Sequence, residues 1–308
     1  MEKQKVIVIG GPTASGKTAL SIELAKKING EIISADSMQI YKDMDIGTAK
    51  PNIEEMQGIQ HYMLDFVSPE TRFSVAEYKK QAKQAIKEIL NKGKIPIVIG
   101  GTGLYIETLI YEIEFEKIET DLAYREELEK QVQEKGLEYL YNKATQLDKV
   151  AMEKISPNDK KRILRVLEIY HQTGKTKSQL DAASRKDPEY DYKLFAINIE
   201  REILYDRINK RVDIMLQNGL IQEVQNICSK YNKFPTAMQG LGYKEVVEYL
   251  NEETTYEQMV EKIKMETRRY AKRQLTWFRK YKNITWLDGL NDLEKNIEII
   301  IKEYEKGV

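Results

Sequence analysis

A glycine-rich motif directly after an apolar run constrains this chain more than any other feature of its sequence. Residues 11–18 read Gly-Pro-Thr-Ala-Ser-Gly-Lys-Thr, which is a glycine, four residues and then Gly-Lys-Thr. The apolar, β-branched run at residues 5–9 predicts a buried strand before the motif. Apolar residues at helical spacing from Thr18 to Ile28 predict a helix after it. A strand before and a helix after are the context that a phosphate-binding P-loop requires.

The physics of this loop predicts a site for a di- or triphosphate group. Glycines let the loop curl so that successive N–H groups point inward, and the helix N-terminus adds about half a positive charge. Lys17 can reach phosphates as a point charge, and the Thr18 hydroxyl can bind Mg²⁺. We expect the phosphates to be bound by Gly11, Pro12, Thr13, Ala14, Ser15, Gly16, Lys17 and Thr18.

The motif alone does not make the ligand ATP. A pyrophosphate ester offers the same oxygens to the same loop. Many P-loop NTPases also carry a strand that ends in an acid holding Mg²⁺ through water. In this chain the strand predicted at residues 94–99 is followed by Gly-Gly-Thr-Gly instead.

Strands and helices alternate through the first part of the chain. Further strands are predicted at residues 31–35 and 94–99, a helix is predicted at residues 75–90, and glycines follow the strand at 94–99. This order is typical of an α/β fold. We expect a P-loop NTPase-like parallel sheet with flanking helices and a mainly helical inserted domain.

The inserted domain is indicated by a change in composition. With 308 residues, 41% of them hydrophobic, the chain can bury a core for more than one domain. Strand character ends before the charged, helix-prone stretch at 116–190 and returns at 193–199, with a late strand near 284–287. We predict a P-loop core domain at 1–115 plus 191–308, interrupted by a helical domain at 116–190.

Asp36 directly follows the strand predicted at residues 31–35. In a parallel sheet the carboxyl ends of the strands form the active-site edge, so Asp36 is expected near the P-loop. There its carboxylate could accept a proton from an incoming nucleophile. Small-molecule kinases commonly place an acid at the same point. A simpler alternative is that Asp36 caps a turn or helix, since Asp-Ser is favourable capping chemistry.

Basic residues are concentrated in one late segment. The 49 basic and 49 acidic residues of the whole chain cancel, so no overall field attracts a polyanion. Between Lys262 and Lys282, however, nine residues are basic, and only Glu261 and Glu266 in or beside this basic segment are acidic. An apolar stripe at helical spacing lets these basic side chains stay exposed, which favours binding to an RNA backbone. Three aromatic residues are interleaved and are interpreted as core rather than as base-stacking platforms, namely Tyr270, Trp277 and Phe278.

Several further motifs follow the P-loop in order along the chain. They lie at residues 33–41, 44–51, 73–77, 100–105, 158–165, 237–244 and 267–278. Together with the P-loop, this ordered set resembles the bacterial tRNA dimethylallyltransferases, also called tRNA isopentenyltransferases. The resemblance covers nearly the whole chain. A P-loop alone is shared by many families, whereas the ordered set is not.

The resemblance implies a specific reaction. The exocyclic N6 of the adenosine just 3′ of the anticodon, position 37, attacks C1 of dimethylallyl pyrophosphate and releases pyrophosphate, with Mg²⁺ as cofactor. It implies that Asp36 is the base on N6 and that Thr18 holds the metal or the bridging oxygen. It also implies that Ser15, Gly16 and Lys17 bind pyrophosphate. The chemistry is consistent, because N6 is a poor nucleophile and pyrophosphate leaves well only when cations meet its growing charge.

Two arginines could supply further charge to the leaving group. Arg207 and Arg211 are four residues apart on a helix predicted at 201–217, so they share a face. The alternative is that both arginines are surface residues that form ion pairs. We include both among the expected pyrophosphate-binding residues.

The expected partner is the anticodon stem-loop of tRNA. The target base must leave its stack, and the resemblance implies tRNA contacts from Asp36, Ser37, Met38, Gln39, Thr102, Arg125, Lys161, Arg162 and Arg165. The Gln39 amide could read polar base edges. Lys161 stands where the family has glutamine, which favours a phosphate contact over a base contact there. The alternative for the cluster around Lys161 is a solvated helix face.

Other functions share some of these features. A small-molecule or nucleoside kinase also uses a P-loop, Mg²⁺ and an acid after the second strand, but it does not explain the basic segment. Enzymes that prenylate free adenine nucleotides have little need for the insert. A non-catalytic P-loop RNA-binding protein would not require Asp36.

The sequence also predicts a compartment. Cys228 is the only cysteine, so no intrachain disulfide can form; we interpret it as a small buried apolar residue. The stretch from Met1 to Gly11 lacks the apolar core and cleavage site of a signal peptide, and no apolar run approaches the roughly 20 residues that span a bilayer. We expect a cytoplasmic monomer without a membrane partner.

Overall fold

The computed structural model describes residues 3–114 and 121–306. Its centre is a parallel sheet in which the strand order is β3-β2-β4-β1-β5-β6. The strands are β1 (Lys5–Gly10), β2 (Gly30–Ser34), β3 (His61–Tyr62), β4 (Ile95–Gly100), β5 (Asp191–Asn198) and β6 (Thr285–Asp288). The predicted α/β class with a parallel sheet is confirmed. The two-residue strand β3 was not predicted, because so short a segment has no alternation to recognise.

Helices follow most strands and fill the rest of the described chain. Several begin at side-chain caps; for example, Ser74 and Glu77 form a capping box, as do Thr255 and Gln258. The helices are α1 (Lys17–Ile28), α2 (Ile53–Met56), α3 (Val75–Asn91), α4 (Gly103–Ile110), α5 (Leu122–Lys135), α6 (Leu137–Leu147), α7 (Lys149–Met152), α8 (Lys160–Thr173), α9 (Lys177–Ser184), α10 (Arg201–Gln217), α11 (Leu220–Lys230), α12 (Tyr243–Leu250), α13 (Tyr256–Phe278) and α14 (Leu293–Glu305), with a short 3₁₀ helix at Ala237–Gln239.

The core on one face of the sheet follows the two-residue period of the strands. Ile7 and Ile9 of β1 pack in one cluster with Ile97 and Ile99 of β4, and helices α1 and α14 contribute to the same cluster. Alternate strand residues point to opposite faces, so Val6 and Val8, which are also fully buried, belong to the other face. Burial on both faces explains the continuous apolar runs of these strands.

A second cluster fixes the chain that follows β2. Ile40, Tyr41 and Met44 pack against Leu220 of α11 and Tyr243 of α12, with further residues from α10 and α13. The segment after Asp36 is therefore held by the C-terminal helices rather than by the sheet.

The chain divides into two compact units. One comprises residues 1–110 and 188–308, and the other comprises residues 111–187. In the second unit the described residues form helices α5 to α9 and no strand, around a core of its own that includes Leu128, Leu140 and Ile163. The predicted boundary between residues 115 and 116 lies outside the described residues.

The prediction that Cys228 is buried is wrong. Its side chain is exposed on α11. The buried face of this helix is formed by Leu220, Val224 and Ile227. Cys228 follows Ile227 directly, and the helical rotation of about 100° per residue turns it away from that face. None of the described helices is both long and apolar enough to span a membrane.

Candidate functional site

The P-loop connects β1 to α1 and curls around a backbone carbonyl. Ala14 and Gly16 have φ angles of 61° and 88°, in the left-handed region that tight turns use. The Ser15 hydroxyl donates to the Pro12 carbonyl oxygen at 2.8 Å, and the Lys17 ammonium donates to the same oxygen at 2.6 Å. The loop is thus closed by its own side chains and ends where α1 begins.

A cavity of about 470 Å³ opens over this loop. We call it the P-loop cavity. Thr18, in the first turn of α1, is exposed and lines it. The other predicted phosphate-binding residues that line it are Thr13, Ala14, Ser15, Gly16 and Lys17, whereas Gly11 and Pro12 are buried and do not. The predicted binding loop therefore faces one space with six of its eight residues.

Two cations reach the P-loop cavity. Burial, followed by repulsion from Arg211, lowers the pKa of Lys17 to about 7, and the nearby carboxylate of Asp36 opposes this shift. Burial also lowers the pKa of Arg211, against the opposing effect of Asp36 and then Glu55. The Nε of Arg211 is buried without a hydrogen-bond partner. Two desolvated cations beside one carboxylate leave an excess of positive charge that suits an anionic ligand.

Arg207 is not brought to this site. Of α10, Arg211 lines the P-loop cavity, and Ile208, Val212 and Met215 line with it a neighbouring cavity. Arg207 lines neither of these two cavities. The four-residue spacing correctly predicts that Arg207 and Arg211 share a face of α10. The spacing does not show which of the two arginines the packing of α10 directs toward the cavity.

Asp36 lies at the carboxyl edge of the sheet and both caps a turn and faces the cavities. Its Oδ1 accepts hydrogen bonds from the backbone N–H groups of Met38 at 2.8 Å and Gln39 at 3.3 Å. Within the described residues no hydrogen bond is made to Oδ2. The capping and the general-base interpretations therefore do not exclude each other, since one oxygen is held by the backbone and the other is available.

The loop after β4 adjoins the Asp36 turn. The hydroxyl oxygen of Thr102 accepts a hydrogen bond from the Ser37 N–H at 3.1 Å, and the Thr102 N–H donates to the Ala35 carbonyl at 3.1 Å. A Cβ at Gly100 would lie 2.2 Å from the same Ala35 carbonyl oxygen, so only glycine permits this approach. Thr102 and Ser37, both predicted tRNA contacts, are in direct contact.

A second cavity, of about 590 Å³, meets the first at Asp36. We call it the helical cavity because α10, α12 and α13 contribute to its wall. Residues that line both cavities are Thr13, Asp36, Thr48, Arg211 and Tyr270. Its wall includes the predicted residues Ser37 and Met38 and the apolar side chains of Ile208, Val212, Met215, Leu241, Tyr243 and Ile263. Asp36 and Arg211 thus lie between the space over the P-loop and a partly apolar one.

The Gln39 side chain is engaged within the protein. Its Nε2 donates to the carbonyl oxygens of Thr48 and Ala49, each at 3.2 Å, and its Oε1 accepts from the Ser34 hydroxyl at 3.2 Å. Reading a base edge would require these bonds to break. The base-reading role of Gln39 stays a prediction, and the observed role of its amide is to hold the segment at Thr48.

One carboxylate on α11 holds the turn that leads into Thr48. Glu223 accepts hydrogen bonds from the backbone N–H groups of Asp45 at 2.9 Å, Ile46 at 2.7 Å and Gly47 at 3.1 Å. It also accepts from the Tyr243 hydroxyl at 2.6 Å. Gly47 and Tyr243 line the helical cavity. Glu223 was not identified from the sequence, because its partners are backbone groups far away in the chain.

Helix α13 carries most of the basic segment and contributes residues that sequence reasoning did not assign to the site. Tyr270, Arg273 and Gln274 line one or both cavities. Burial, and then the charge of Asp36, raise the pKa of Tyr270 to about 12. The motif at residues 267–278 was the available signal, but its net charge directed the interpretation to RNA alone.

Part of the positive charge of the basic segment is paired within the protein. Ion pairs join Lys262 to Glu248 at 2.5 Å and Lys264 to Asp213 at 2.7 Å. Arg268 donates to Asn209, and Arg269 pairs with Glu266. The remaining basic residues make no ion pair with any described residue and are exposed; they are Lys272, Arg273, Arg279, Lys280 and Lys282.

Of the three interleaved aromatic residues, Phe278 is in the core as predicted, whereas Trp277 is partly buried and Tyr270 is partly buried and lines both cavities. Phe278 is fully buried, and a Cβ at Gly10 would lie 2.2 Å from its ring. A Cβ at Gly103 would lie 2.2 Å from the Trp277 ring, whose outer surface is covered by the Lys280 ammonium 3.9 Å from a ring centroid. Glycines at the end of β1 and the start of α4 therefore make room for the aromatic rings of one helix.

In the unit formed by residues 111–187, a buried acid organises two of the predicted RNA contacts. Glu168 of α8 is 1% exposed and pairs with Arg125 of α5 at 2.7 Å and with Arg165 at 3.5 Å. Arg162 pairs with Asp159 at 3.3 Å, and Lys161 is exposed. The two arginines are held in place, and Lys161 projects into solvent.

The described residues contain no cluster of three or more acidic, histidine or cysteine side chains that could hold a metal by itself. Asp36 and Glu55 line the P-loop cavity together with Thr18. This donor set suits a Mg²⁺ ion bound largely through phosphate oxygens and water, which is the usual arrangement for this ion.

Comparison with known proteins gives a consistent result. A family model described as IPP transferase matches residues 39–281. The tRNA dimethylallyltransferase of Acetivibrio thermocellus is 55% identical over 285 residues, covering 92% of this chain and 91% of that protein. The tRNA dimethylallyltransferase of Bacillus anthracis is 47% identical over 300 residues, covering 97% of this chain and 95% of that protein.

Two solved structures resemble this chain along nearly its whole length. The full-length tRNA isopentenylpyrophosphate transferase of Bacillus halodurans is 40% identical with a TM-score of 0.74, covering 98% of this chain and 97% of that one. A eukaryotic dimethylallyltransferase acting on tRNA is 34% identical with a TM-score of 0.77, covering 95% of this chain and 75% of that one.

Proposed function

Because this chain belongs to the IPP transferase family, we propose that it transfers a dimethylallyl group from dimethylallyl pyrophosphate to tRNA. The acceptor is N6 of the adenosine at position 37, 3′ of the anticodon. The products are N6-(dimethylallyl)adenosine and pyrophosphate.

One observation carries this proposal. Asp36 lies where the P-loop cavity and the helical cavity meet, with Lys17 and Arg211 beside it. A transferase needs a base at the meeting point of donor and acceptor and cations on the side of the leaving group. A diphosphate in the P-loop cavity and a purine approaching through the helical cavity would meet at this carboxylate.

The reaction balances with the groups of this chain. The N6 lone pair forms a bond to C1 of the dimethylallyl group as the bond from C1 to the pyrophosphate oxygen breaks. The electron pair of that bond leaves with the pyrophosphate. Oδ2 of Asp36 accepts the proton that N6 loses, while Oδ1 stays bound to the Met38 and Gln39 amides and fixes the orientation of the carboxylate.

The leaving group is stabilised by charges held in place before the reaction. Lys17, which already donates one hydrogen bond to Pro12, and the partnerless Nε of Arg211 can donate to the pyrophosphate, and because both groups are already desolvated this needs little reorganisation. Mg²⁺, when bound, would neutralise charge on the pyrophosphate oxygens. Thr18 would hold it, with the remaining ligands supplied by phosphate and water.

The tRNA is bound by two basic surfaces. The exposed, unpaired residues of the basic segment suit phosphate contacts on one unit. On the other, the exposed Lys161 suits such a contact, and Glu168 pairs with Arg125 and Arg165 and fixes their positions. We propose that the chain acts as a monomer. A tRNA substrate also supports a cytoplasmic location.

The test is an incubation of the purified chain with Mg²⁺, dimethylallyl pyrophosphate labelled in the allyl group, and unmodified tRNA. The label is expected in the tRNA, at the adenosine 3′ of the anticodon, with pyrophosphate released in equal amount. A tRNA with another base at that position is the matched control and should stay unlabelled. ATP turnover with no label in RNA would instead support a kinase.

A further inference from the structure

Gln274 of α13 joins the two loops that border the P-loop cavity. Its Oε1 accepts a hydrogen bond from the Thr13 N–H at 2.8 Å, and its Nε2 donates to the Gly101 carbonyl at 3.1 Å. The residue is 5% exposed, and its bond to Gly101 is buried. A single amide therefore ties the phosphate-binding loop to the loop that carries Thr102.

The fit around this amide leaves no room for a side chain at residue 101. A Cβ at Gly101 would lie 2.0 Å from Nε2 of Gln274 and 3.4 Å from the Gly11 carbonyl oxygen. Gly101 does not have a positive φ angle, so backbone conformation does not require glycine at this position. Glycine is required at residue 101 because Gln274 approaches it so closely.

The bond from Thr13 also affects the geometry of the P-loop. Thr13 precedes the residues whose N–H groups are expected to surround the phosphates, and its own N–H is directed to Gln274. Fixing this end of the loop fixes the direction in which the following amides point. Preorganised donors of this kind lower the reorganisation needed when an anion binds.

We propose that Gln274 is a positioning residue for the diphosphate: it locks the P-loop to the Gly100–Gly103 loop and so makes diphosphate affinity depend on the placement of α13. This inference rests on the proposed function for the identity of the donor. It does not depend on catalysis, because inorganic pyrophosphate with Mg²⁺ can probe the same loop.

The direct test measures the Kd of Mg²⁺-pyrophosphate by calorimetry on the full chain. Gln274→Met retains the length of the side chain but removes both hydrogen bonds, and should weaken pyrophosphate binding by about tenfold. Thr276→Ala, on an exposed position of the same helix where the hydroxyl bonds only within α13, is the matched control and should have no effect.

The affinity for tRNA separates positioning from general damage. For Gln274→Met, the Kd of unmodified tRNA should stay within about twofold of the wild type, because phosphate contacts supply much of the affinity and the exposed basic residues are retained. Thermal unfolding of each variant confirms that it is folded. A folded Gln274→Met protein with unchanged pyrophosphate affinity would overturn the proposal, and so would an equal loss of affinity for both ligands.

A second pair of variants tests the geometric reason. Gln274→Ala should also weaken pyrophosphate binding, and Gly101→Ala should have the same effect because the added methyl would lie 2.0 Å from Nε2 and displace the Gln274 amide. In the double variant the shortened residue 274 leaves room for that methyl. The two losses should therefore not add, whereas independent sites add. Additive losses would contradict the proposed lock, even if the labelled-tRNA assay had confirmed the transferase activity.

Discussion

The ammonium of Lys17 and the guanidinium of Arg211 approach each other closely enough that Arg211 lowers the pKa of Lys17. One belongs to the first helix after β1 and the other to α10, so two distant parts of the chain bring like charges together. Asp36 opposes the effect on both. Such an arrangement is unfavourable by itself and becomes favourable when a diphosphate binds, which makes pH a useful probe of the site.

Pyrophosphate binding is expected to weaken with rising pH above neutrality. The pKa of Lys17 is about 7. Below this pH Lys17 is already protonated in the free enzyme. Above it, pyrophosphate must either bind beside a neutral Lys17 or bind with uptake of a proton by Lys17. The loss should approach about tenfold for each pH unit. Calorimetry between about pH 6 and pH 9, a range that includes the pKa of Lys17, measures both the pyrophosphate affinity and the proton uptake on binding.

Lys17→Arg supplies the control for this profile. Its guanidinium stays charged throughout this range, so its profile reports the titration of pyrophosphate itself. The difference between the wild type and this variant isolates Lys17. Parallel profiles would show that Lys17 does not titrate as inferred.

Asp36→Asn should lower kcat by about 10²–10⁴-fold while leaving tRNA affinity nearly unchanged. Asparagine keeps a carbonyl oxygen that can accept the Met38 and Gln39 N–H bonds, so the turn is preserved while the base is lost. Single-turnover assays with labelled donor give the rate, and gel shifts give the affinity.

Asp36→Ala separates the two roles of this residue. It should match Asp36→Asn in rate but lose roughly 0.5–2 kcal/mol of stability in addition, the usual value of a cap. An Asp36→Asn enzyme with wild-type kcat would remove this carboxylate from the mechanism.

Arg211→Met is expected to reduce kcat/KM for dimethylallyl pyrophosphate by about 10²–10³-fold, the typical effect of removing one preorganised donor. Arg207→Met, four residues earlier on the same helix but outside the cavity wall, is the matched control and should act nearly as the wild type.

Arg211→Met should have a second effect that a purely structural residue would not have. Removing this cation relieves repulsion on Lys17, so the pKa of Lys17 should rise. The pH at which pyrophosphate binding begins to weaken should then move upward. The same calorimetric series tests this, and an unmoved profile would mean that the two cations do not interact.

The exposed basic residues of α13 and the following turn should determine the salt dependence of tRNA binding. Replacing Lys272 and Arg279 by Gln should reduce the slope of log Kd against log salt concentration by about 1 for each residue that contacts a phosphate. Lys264→Gln, whose charge is already paired with Asp213, should leave the slope unchanged. Filter binding over a range of salt concentrations measures the slopes; equal slopes for all variants would assign the RNA contact elsewhere.

The sequence was most informative where local rules decide the structure. The order of strand, glycine-rich loop and helix is sufficient to identify the P-loop. Because the strands are parallel, Asp36 must lie at the same edge of the sheet as that loop. The helix predicted at 201–217 is observed as α10 with those bounds. The choice between Arg207 and Arg211 depends on how α10 rotates against its neighbours, which no spacing rule specifies.

Residues that act through the backbone of distant segments were missed for a different reason. Glu223 and Gln274 bind main-chain N–H and C=O groups, which carry no side-chain signature. Glu168 was missed because its arginine partners were assigned to RNA, although one buried carboxylate holds both. Long-range packing decides such roles, and only the folded structure reveals it.

The carboxylate of Glu223 binds the backbone N–H groups of three consecutive residues rather than their side chains. The side chains of these residues have contacts elsewhere: Asp45 pairs with Lys50 at 2.6 Å, Ile46 packs against the cluster that contains Tyr243, and a Cβ at Gly47 would lie 2.5 Å from the Tyr243 ring. Removing the acid on α11 would therefore release three amides at once beside the wall of the helical cavity. A single substitution far from the P-loop in sequence would thus alter the proposed acceptor side of the site.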